Sequence, residues 1–371
     1  MIVGKPQLLK KLNSDIVRDL IYKEGPISKP EIAEKTALSL PTVKKRVDIL
    51  LREGWIRTAG RSGEGVGRKA EKYEADRSHK MILLLYESGG FTSYLVDLTG
   101  KFHAEKRYVF PKKGTMQYLE FLCSCIEELM GKVTGTVLSI GVTVPGVVRS
   151  SGLIKHIPEI PEWEKYNLQE ELQKRFQVDV LVENDTRMMT LGYYETMLRG
   201  TCSDMVYIYA DDALSAGIVI DGQLHRGRES FAGELGFLIF HENLSSKNEP
   251  VNGRGDFECS VMELQSRIEK EKGSQELLER YYDLLAKAIV SVGCVTAPEI
   301  VVIQGKYVND TVLEYIQERI RPYFPKDVLP KLRINTDSSY CVQGIKKECI
   351  RHAREKSAKL GKAEISAVSE N

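Results

Sequence analysis

Apolar residues recur at helical spacing from the start of the chain. Ile16, Val17, Leu20 and Ile21 fall on one face of a helix that Asn13 can cap and that Gly25-Pro26 ends. Ser28 opens a second helix, with Pro30 in its first turn and Glu31 three residues after the cap. That spacing is a capping box, which satisfies two otherwise unpaired backbone donors. Ile32 and Ala33 can face the core. Ser39 is expected to cap a third helix, in which Val43, Val47, Leu50 and Leu51 follow an i, i+4, i+7, i+8 pattern and face inward. Pro41, Thr42, Lys45 and Arg46 lie toward the opposite side, near the N-terminal end. Gly54-Trp55-Ile56-Arg57 begins an extended strand. Arg61-Ser-Gly63-Glu-Gly65-Val-Gly67-Arg68-Lys69 is a glycine-rich basic turn, and Lys72-Tyr73-Glu74 can return as a second strand.

From about residue 80 the period changes. Met81–Tyr86 and Tyr94–Leu98 are short apolar, β-branched or aromatic runs. Residues 116–130 have helical period, with Cys123 and Cys125 on that helix. Val137–Val144 reads as a buried strand closed by Pro145-Gly146, and Val178–Val182 as another ending at Glu183-Asn184-Asp185. Val206–Tyr209 and Ile218–Ile220 resemble a hairpin pair followed by the Asp221-Gly222 turn. Residues 261–292 are mainly helical, with Tyr281, Leu284, Leu285, Ala288 and Ile289 as core, and Ile300–Ile303 is a late strand. Arg351–Lys362 is a charged helix end and Ala363–Asn371 is expected to fray. Strands alternating with helices in two successive blocks argue for an α/β body of two lobes.

The chain has 371 residues, which predicts two or three domains. The expected divisions are 1–78, 79–190 and 191–371, with the last helix packing back on the middle unit. Net charge is +1, but it is uneven. Residues 1–80 hold 18 Lys and Arg against 11 Asp and Glu, a net +7 that leaves the remainder at −6. A basic head on an acidic body suits a polyanionic partner. The seven cysteines are scattered and odd in number, without zinc-finger spacing, as expected for reduced thiols in a cytoplasmic protein. No apolar run reaches the ~18 residues of a membrane span, and no apolar signal region opens the chain.

Two capped helices joined by a tight turn and followed by a basic wing form a unit that reads double-stranded DNA. In such docking the N-terminal end of the second motif helix meets base edges in the major groove. Ser39, Pro41, Thr42, Lys44, Lys45 and Arg46 are therefore the candidate contacts from the helix, and Arg61, Arg68 and Lys69 those from the wing. Lysine and arginine neutralise phosphates or donate to guanine, and arginine suits a narrow minor groove.

Five segments in order make a resemblance specific: Gly65-Val-Gly67-Arg68 of the wing; Gly141-Val-Thr-Val-Pro145-Gly146; Glu183-Asn184-Asp185; Asp221-Gly222-Gln-Leu-His-Arg226-Gly227 running into Ala232-Gly233-Glu234-Leu-Gly236; and Ala297-Pro298-Glu299 through Gly305. The chain resembles the ROK family (repressors, open reading frames and sugar kinases), in its transcription-regulator branch. The resemblance implies an α/β fold in which an N-terminal winged helix-turn-helix precedes a two-lobed, actin- and hexokinase-like (ribonuclease H-like) domain with a sugar cleft between the lobes. It also implies roles. Asp185 stands at the position of the kinases' general base, which accepts the sugar hydroxyl proton as that oxygen attacks the γ-phosphate. Asn184, Glu234 and Glu258 match residues that hydrogen-bond sugar hydroxyls, Glu258 through Asn252-Gly-Arg-Gly255-Asp256-Phe257-Glu258. Asn184 and Asp185 equally suit the cap of a following helix.

Departures from the family pattern weigh against catalysis. The first phosphate loop reads Leu84-Leu85-Tyr86-Glu87-Ser88-Gly89-Gly90, without a clear counterpart of the magnesium-associated Asp. The second reads Asp211-Asp212-Ala213-Leu214-Ser215-Ala216-Gly217, where side chains replace the glycines that let backbone N–H groups cradle phosphate. At ~4 Å and an effective dielectric of ~20, each like-charge contact with a triphosphate costs roughly 4 kcal/mol, about a thousandfold in affinity. The family's zinc site uses a His where Phe237 stands and cysteines where Glu249, Val251 and Asp256 stand, so no metal or other cofactor is expected. The expectation is a sugar- or sugar-phosphate-responsive repressor of carbohydrate-utilisation genes, not an enzyme, acting as a homodimer or dimer of dimers. The alternatives are an active sugar kinase with a DNA-binding head and a constitutive DNA-binding regulator with a vestigial cleft.

Overall fold

The structure is a computed structural model, and it describes residues 6–62, 70–87, 89–110, 118–157, 160–211, 214–239 and 256–369. The head comprises α1 (Pro6–Glu24), β1 (Ile27–Ser28), α2 (Lys29–Thr36), α3 (Leu40–Arg52), β2 (Ile56–Ser62) and β3 (Ala70–Ala75). The strands form one sheet in the order β1-β3-β2. Val17, Ile21, Ile32, Val43, Val47 and Leu50 are buried together, as their spacing predicts.

Two caps differ from expectation. α1 begins at Pro6, so Asn13 lies inside the helix and caps nothing; proline is tolerated in a first turn, and helical residues upstream of Asn13 extend the element. Ser39 occupies the cap position of α3, but its hydroxyl lies 2.8 Å from the Thr42 hydroxyl and makes no cap bond to the backbone. At Ser28, by contrast, the Glu31 carboxylate accepts from the Ser28 backbone N–H at 2.8 Å and from its hydroxyl at 2.6 Å. Those bonds hold the Glu31 carboxyl below its ordinary value.

The body holds two five-stranded sheets. The first has β4 (His79–Glu87), β5 (Gly90–Asp97), β6 (Phe102–Val109), β7 (Thr136–Val144) and β10 (Asp179–Asn184), in the order β10-β7-β4-β5-β6. The second has β11 (Met205–Ala210), β12 (Leu214–Ile220), β13 (Gln223–His225), β14 (Ile300–Gln304) and β15 (Lys331–Ile334), in the order β13-β12-β11-β14-β15. Each sheet opens with three antiparallel strands and adds two parallel ones on the other side of the first. The lobes thus repeat one topology; β6 and β13 are edge strands, largely exposed and without an apolar run to mark them in the sequence. A small ribbon, β8 (Val147–Val148) with β9 (Ile154–His156), follows β7.

Helices α4 (Tyr118–Met130) and α5 (Leu168–Phe176) cover the outer face of the first sheet. Helices α7 (Asp256–Lys270), α8 (Gln275–Thr296) and α9 (Asp310–Ile320) cover that of the second. Between the sheets lie α6 (Asp185–Tyr193) and α10 (Ser339–Ser369). Strand periodicity explains the layering. Met81, Leu83 and Leu85 of β4 join the inner cluster with α6 and α10, while Ile82 and Leu84 join the outer one. In β14, Ile300 and Val302 face inward and Val301 and Ile303 outward. The inner cluster also takes in Val17, Ile21, Trp55 and Tyr73 of the head, so head and body share one apolar core. α10 runs unbroken to Ser369, past the expected fraying point. Burial pushes the Cys123 and Cys125 thiols on α4 up to about 11, the state of inert reduced cysteines.

Asp97 closes the β5–β6 turn with no solvent exposure. It accepts from the Thr99 hydroxyl at 2.5 Å, the Thr99 and Lys101 N–H groups at 2.9 and 3.1 Å, and His103 Nε2 at 2.9 Å. Burial pushes its carboxyl up, but these donors outweigh it and hold it below the ordinary value. A depressed carboxyl stabilises the fold at pH above its unfolded value of about 3.9 and loses that contribution as pH falls toward the folded value. Urea unfolding is expected to show stability dropping below about pH 4, with a shallower acid limb in Asp97→Asn. An identical acid limb in both proteins would refute the assignment.

Candidate nucleic-acid interface and interlobe cleft

α3 packs through Val43, Val47 and Leu50 and leaves the opposite side to solvent. Ser39, Pro41, Lys44 and Lys45 are exposed, and Thr42 and Arg46 are half-buried. Flanking basic residues are paired: Lys29 with Asp48 at 2.9 Å, Lys35 with Glu24 at 2.5 Å and Arg57 with Glu74 at 2.8 Å. Among the described residues no carboxylate pairs with Lys44, Lys45 or Arg46; Arg46 Nη1 reaches only the Lys10 carbonyl at 3.5 Å. Lys44, Lys45 and Arg46 thus have no ion-pair partner among the described residues. In the wing, Arg61 stands opposite Glu71 in the β2–β3 ladder. Arg68 and Lys69 lie outside the described residues.

The expected ligand site falls where two parallel strands end side by side, with Asn184 of β10 in register with Val144 of β7. Ligands of open α/β sheets gather at such carboxyl ends. Asn184 is the N-cap of α6. Its Oδ1 accepts from the Arg187 N–H at 2.8 Å, and its Nδ2 donates to the Gly146 carbonyl at 3.0 Å and Asp185 Oδ1 at 3.2 Å. Gly146 has φ of +102°, and a Cβ there would lie 2.2 Å from the His156 carbonyl oxygen, so this turn demands glycine.

Asp185 is the first residue of α6 and is half-buried, its Oδ1 accepting the Thr186 N–H at 2.6 Å. The helix N-terminus favours its negative charge. The Thr186 hydroxyl lies 2.7 Å from that of Ser215, at the start of β12. The next residue, Ala216, donates to the Gly233 carbonyl at 2.7 Å. Glu234 follows directly, half-buried at the head of a single 3-10 turn over residues 235–237. The start of β12 is thus bonded to the residue after Asp185 in one lobe and to the residue before Glu234 in the other. Glu258 stands in the first turn of α7, its side chain outside the described ones.

Beneath the cleft lies a buried charge network that the sequence reading did not anticipate. Arg187, 2 % exposed, pairs with Glu183 at 3.2 Å, and it donates to the Val148 carbonyl and the Ser230 carbonyl at 2.9 Å each. One guanidinium thus ties a first-lobe ribbon to a second-lobe loop. Arg226 continues the network to Glu183 at 3.3 Å and to Glu348 of α10 at 2.9 Å. Burial pushes the Glu348 carboxyl up, but Arg351 and Arg226 prevail and hold it below its ordinary value. Arg149 and Glu229 form a further ion pair between the same two segments. The available signal was Arg187 itself, a cation inside an otherwise inward-facing helix four residues after Glu183.

At the phosphate-loop positions, Glu87 is paired with Arg107 beside the β4–β5 turn. Asp211 accepts from the Lys306 backbone N–H, while the Lys306 amine pairs with Glu269 at 2.6 Å. Asp211, Lys306 and Glu269 line a second-lobe cleft of about 540 Å³ together with Tyr209, Gln304 and Tyr307. Asp212 lies outside the described residues, as do the positions of Glu249 and Val251. Phe237 packs against Phe231 at 5.5 Å and His156 at 6.3 Å between ring centroids. A phenyl ring has no lone pair for zinc, so this position does not fit the metal. Among the described residues no three of His, Cys, Asp or Glu gather into a metal-holding group, and no helix is long and apolar enough to cross a membrane.

Residues 89–260 match the profile of the ROK family, and residues 19–57 match that of a winged helix-turn-helix DNA-binding domain. The chain is 30% identical over 267 residues to the DNA-binding transcriptional dual regulator NagC of Escherichia coli, a match covering 69% of this chain and 63% of that protein. It is 28% identical over 243 residues to the xylose repressor of Caldicellulosiruptor bescii, covering 63% and 60%. The chain thus spans less than two thirds of the length of these relatives. Among solved structures, a ROK family transcriptional regulator described as a homologue of E. coli MLC superposes with a TM-score of 0.71 at 20% identity, covering 93% of this chain and 97% of that one. The ROK hexokinase of Thermus thermophilus superposes with a TM-score of 0.58 at 17% identity, covering 74% and 99%, which shows a shared fold. The chain carries a ROK family domain behind an N-terminal winged helix-turn-helix domain.

Proposed function

We propose that the protein is a DNA-binding transcriptional repressor of carbohydrate-utilisation genes that senses a sugar or sugar phosphate between its lobes. The observation that carries the DNA half is the group Lys44, Lys45 and Arg46 near the N-terminal end of α3, without ion-pair partners among the described residues, whereas Lys29, Lys35 and Arg57 are paired. The sensing half is supported by the start of β12, which bonds to Thr186, next to Asp185, and to Gly233, next to Glu234. Carboxylates accept from hydroxyls along fixed directions, as polyol recognition needs. The named functions of the N-acetylglucosamine and xylose repressors make those sugars the first to try.

Kinase activity is not part of this reading. Asp211 brings a carboxylate to the rim where a triphosphate would need donors, and Glu87 brings another to the first loop. A homodimer would set two α3 helices about one DNA turn, ~34–36 Å, apart. A sugar changes DNA binding only if it binds two arrangements of the molecule with different affinity.

Thermal shifts across pentoses, hexoses, N-acetylhexosamines and their phosphates test the cleft. A true effector raises the melting temperature by mass action, by about 2.7 kcal/mol of stability at a hundred times its Kd. Asp185→Asn is expected to abolish that rise. If no sugar shifts the wild-type protein, the sensing half falls; turnover of ATP with any hexose would restore the kinase alternative.

A further inference from the structure

The inner layer of the body connects the cleft to the head through two helices in direct backbone contact. A Cβ on Gly192 of α6 would lie 1.8 Å from the Tyr340 carbonyl oxygen of α10. A Cβ on Gly344 of α10 would lie 1.9 Å from the Met188 carbonyl oxygen of α6. No side chain stands between the helices at this crossing, so none can yield when one of them moves. At the cleft end of α10, the Cys341 thiol donates to the Asp185 carbonyl oxygen at 3.7 Å. From Cys341 to Arg354 the helix climbs about 20 Å. There the Arg354 guanidinium forms an ion pair with Asp15 of α1 and donates to the Ser14 hydroxyl at 3.2 Å. Asp15 also holds Arg18 at 3.0 Å, and Ile350 and Ala353 join Val17 and Ile21 in one apolar cluster.

We propose that α10 is a rigid shaft between the effector cleft and the DNA-binding head, with the Gly192–Gly344 crossing as its pivot and Arg354 as its clasp on Asp15 and Ser14. A displacement of α6 when its N-terminal Asp185 engages a ligand moves α10 through backbone contact. The clasp then passes that movement to α1, which packs on α3. Packed helices shift between discrete arrangements because a close-packed core does not deform continuously. The effector half of the proposal rests on the cleft reading above; the shaft and clasp stand on geometry alone.

Hydrogen exchange of the full chain tests it. Arg354→Ala is expected to speed exchange in residues 14–22 and 43–50 about tenfold while leaving residues 81–85 and 140–144 at the wild-type rate. The charge swap Asp15→Arg with Arg354→Asp is expected to restore most of the protection. Unchanged exchange in Arg354→Ala overturns the clasp. Gly344→Ala probes the pivot, with Cys341→Ala as the milder variant should the first not fold. Gly344 packs on Met188 and Cys341 on Asp185, both in α6 and not in the head, yet both variants are expected to speed exchange at residues 14–22. Wild-type rates there overturn the shaft. In a third arm, xylose and N-acetylglucosamine are added to the wild-type protein. Protection of residues 183–190 with altered exchange at 14–22, lost in Arg354→Ala, supports coupling; the same protection with α1 unaltered overturns it. Absence of protection from either sugar counts against the cleft reading, and the variants alone then decide the shaft.

Discussion

Replacing Arg187 with Ala is expected to destabilise the protein by about 3–5 kcal/mol, the range for breaking a buried ion pair on one side only. Glu183, 2 % exposed, would keep one cationic partner, Arg226, at 3.3 Å. The carbonyl oxygens of Val148 and Ser230 would lose their donor inside the molecule. Each buried acceptor left unmade costs about 1–3 kcal/mol. Arg187→Lys retains the charge but lacks the planar fork that reaches both carbonyls, so an intermediate loss is expected. Urea unfolding of the three proteins under one set of conditions measures this. A loss under about 1 kcal/mol for Arg187→Ala would mean that the network behaves like a solvent-exposed pair. That would contradict its place between the two lobes.

The double variant Lys45→Ala, Arg46→Ala is expected to weaken binding to a duplex and to reduce its dependence on salt. Each phosphate contact contributes about 0.9 to the slope of log K against log salt, so losing two lowers the slope by about 1.8. In low salt the affinity should fall by about one to two orders of magnitude. Lys45 is exposed on the side away from Val43, Val47 and Leu50, and the half-buried Arg46 makes only a 3.5 Å contact with the Lys10 carbonyl, so the fold should persist. Fluorescence anisotropy with a random-sequence duplex suffices, because the counterion contribution needs no particular operator. An unchanged slope would remove α3 from the interface. A slope lower by about one would leave only one of the two cations on phosphate.

Much of this architecture is legible in the sequence because burial imposes periodicity. The 3.6-residue period of Val43, Val47 and Leu50 predicts both the inward face of α3 and the outward position of its cations. Runs such as 81–86 and 300–303 predict strands buried on both sides. Local chemistry was less reliable at helix ends. Ser28 and Glu31 form their expected contact, whereas Asn13 fell within a longer helix and Ser39 turned to Thr42. Caps depend on where helical backbone begins, and that boundary carries the weakest sequence signal.

The sequence by itself determined the basic head, the apolar faces and the strand-and-helix alternation of the body. Tertiary structure alone decided which of those residues meet. It brought Thr186 and Gly233, the neighbours of Asp185 and Glu234, against Ser215 and Ala216, joined Glu183, Arg187, Arg226 and Glu348 into one network, and carried Arg354 to Asp15 across most of the chain. The reason is physical. Periodicity records only how each side chain stands relative to its own helix or strand, whereas a charge network or a glycine crossing depends on how separate elements pack, and no local pattern encodes that distance.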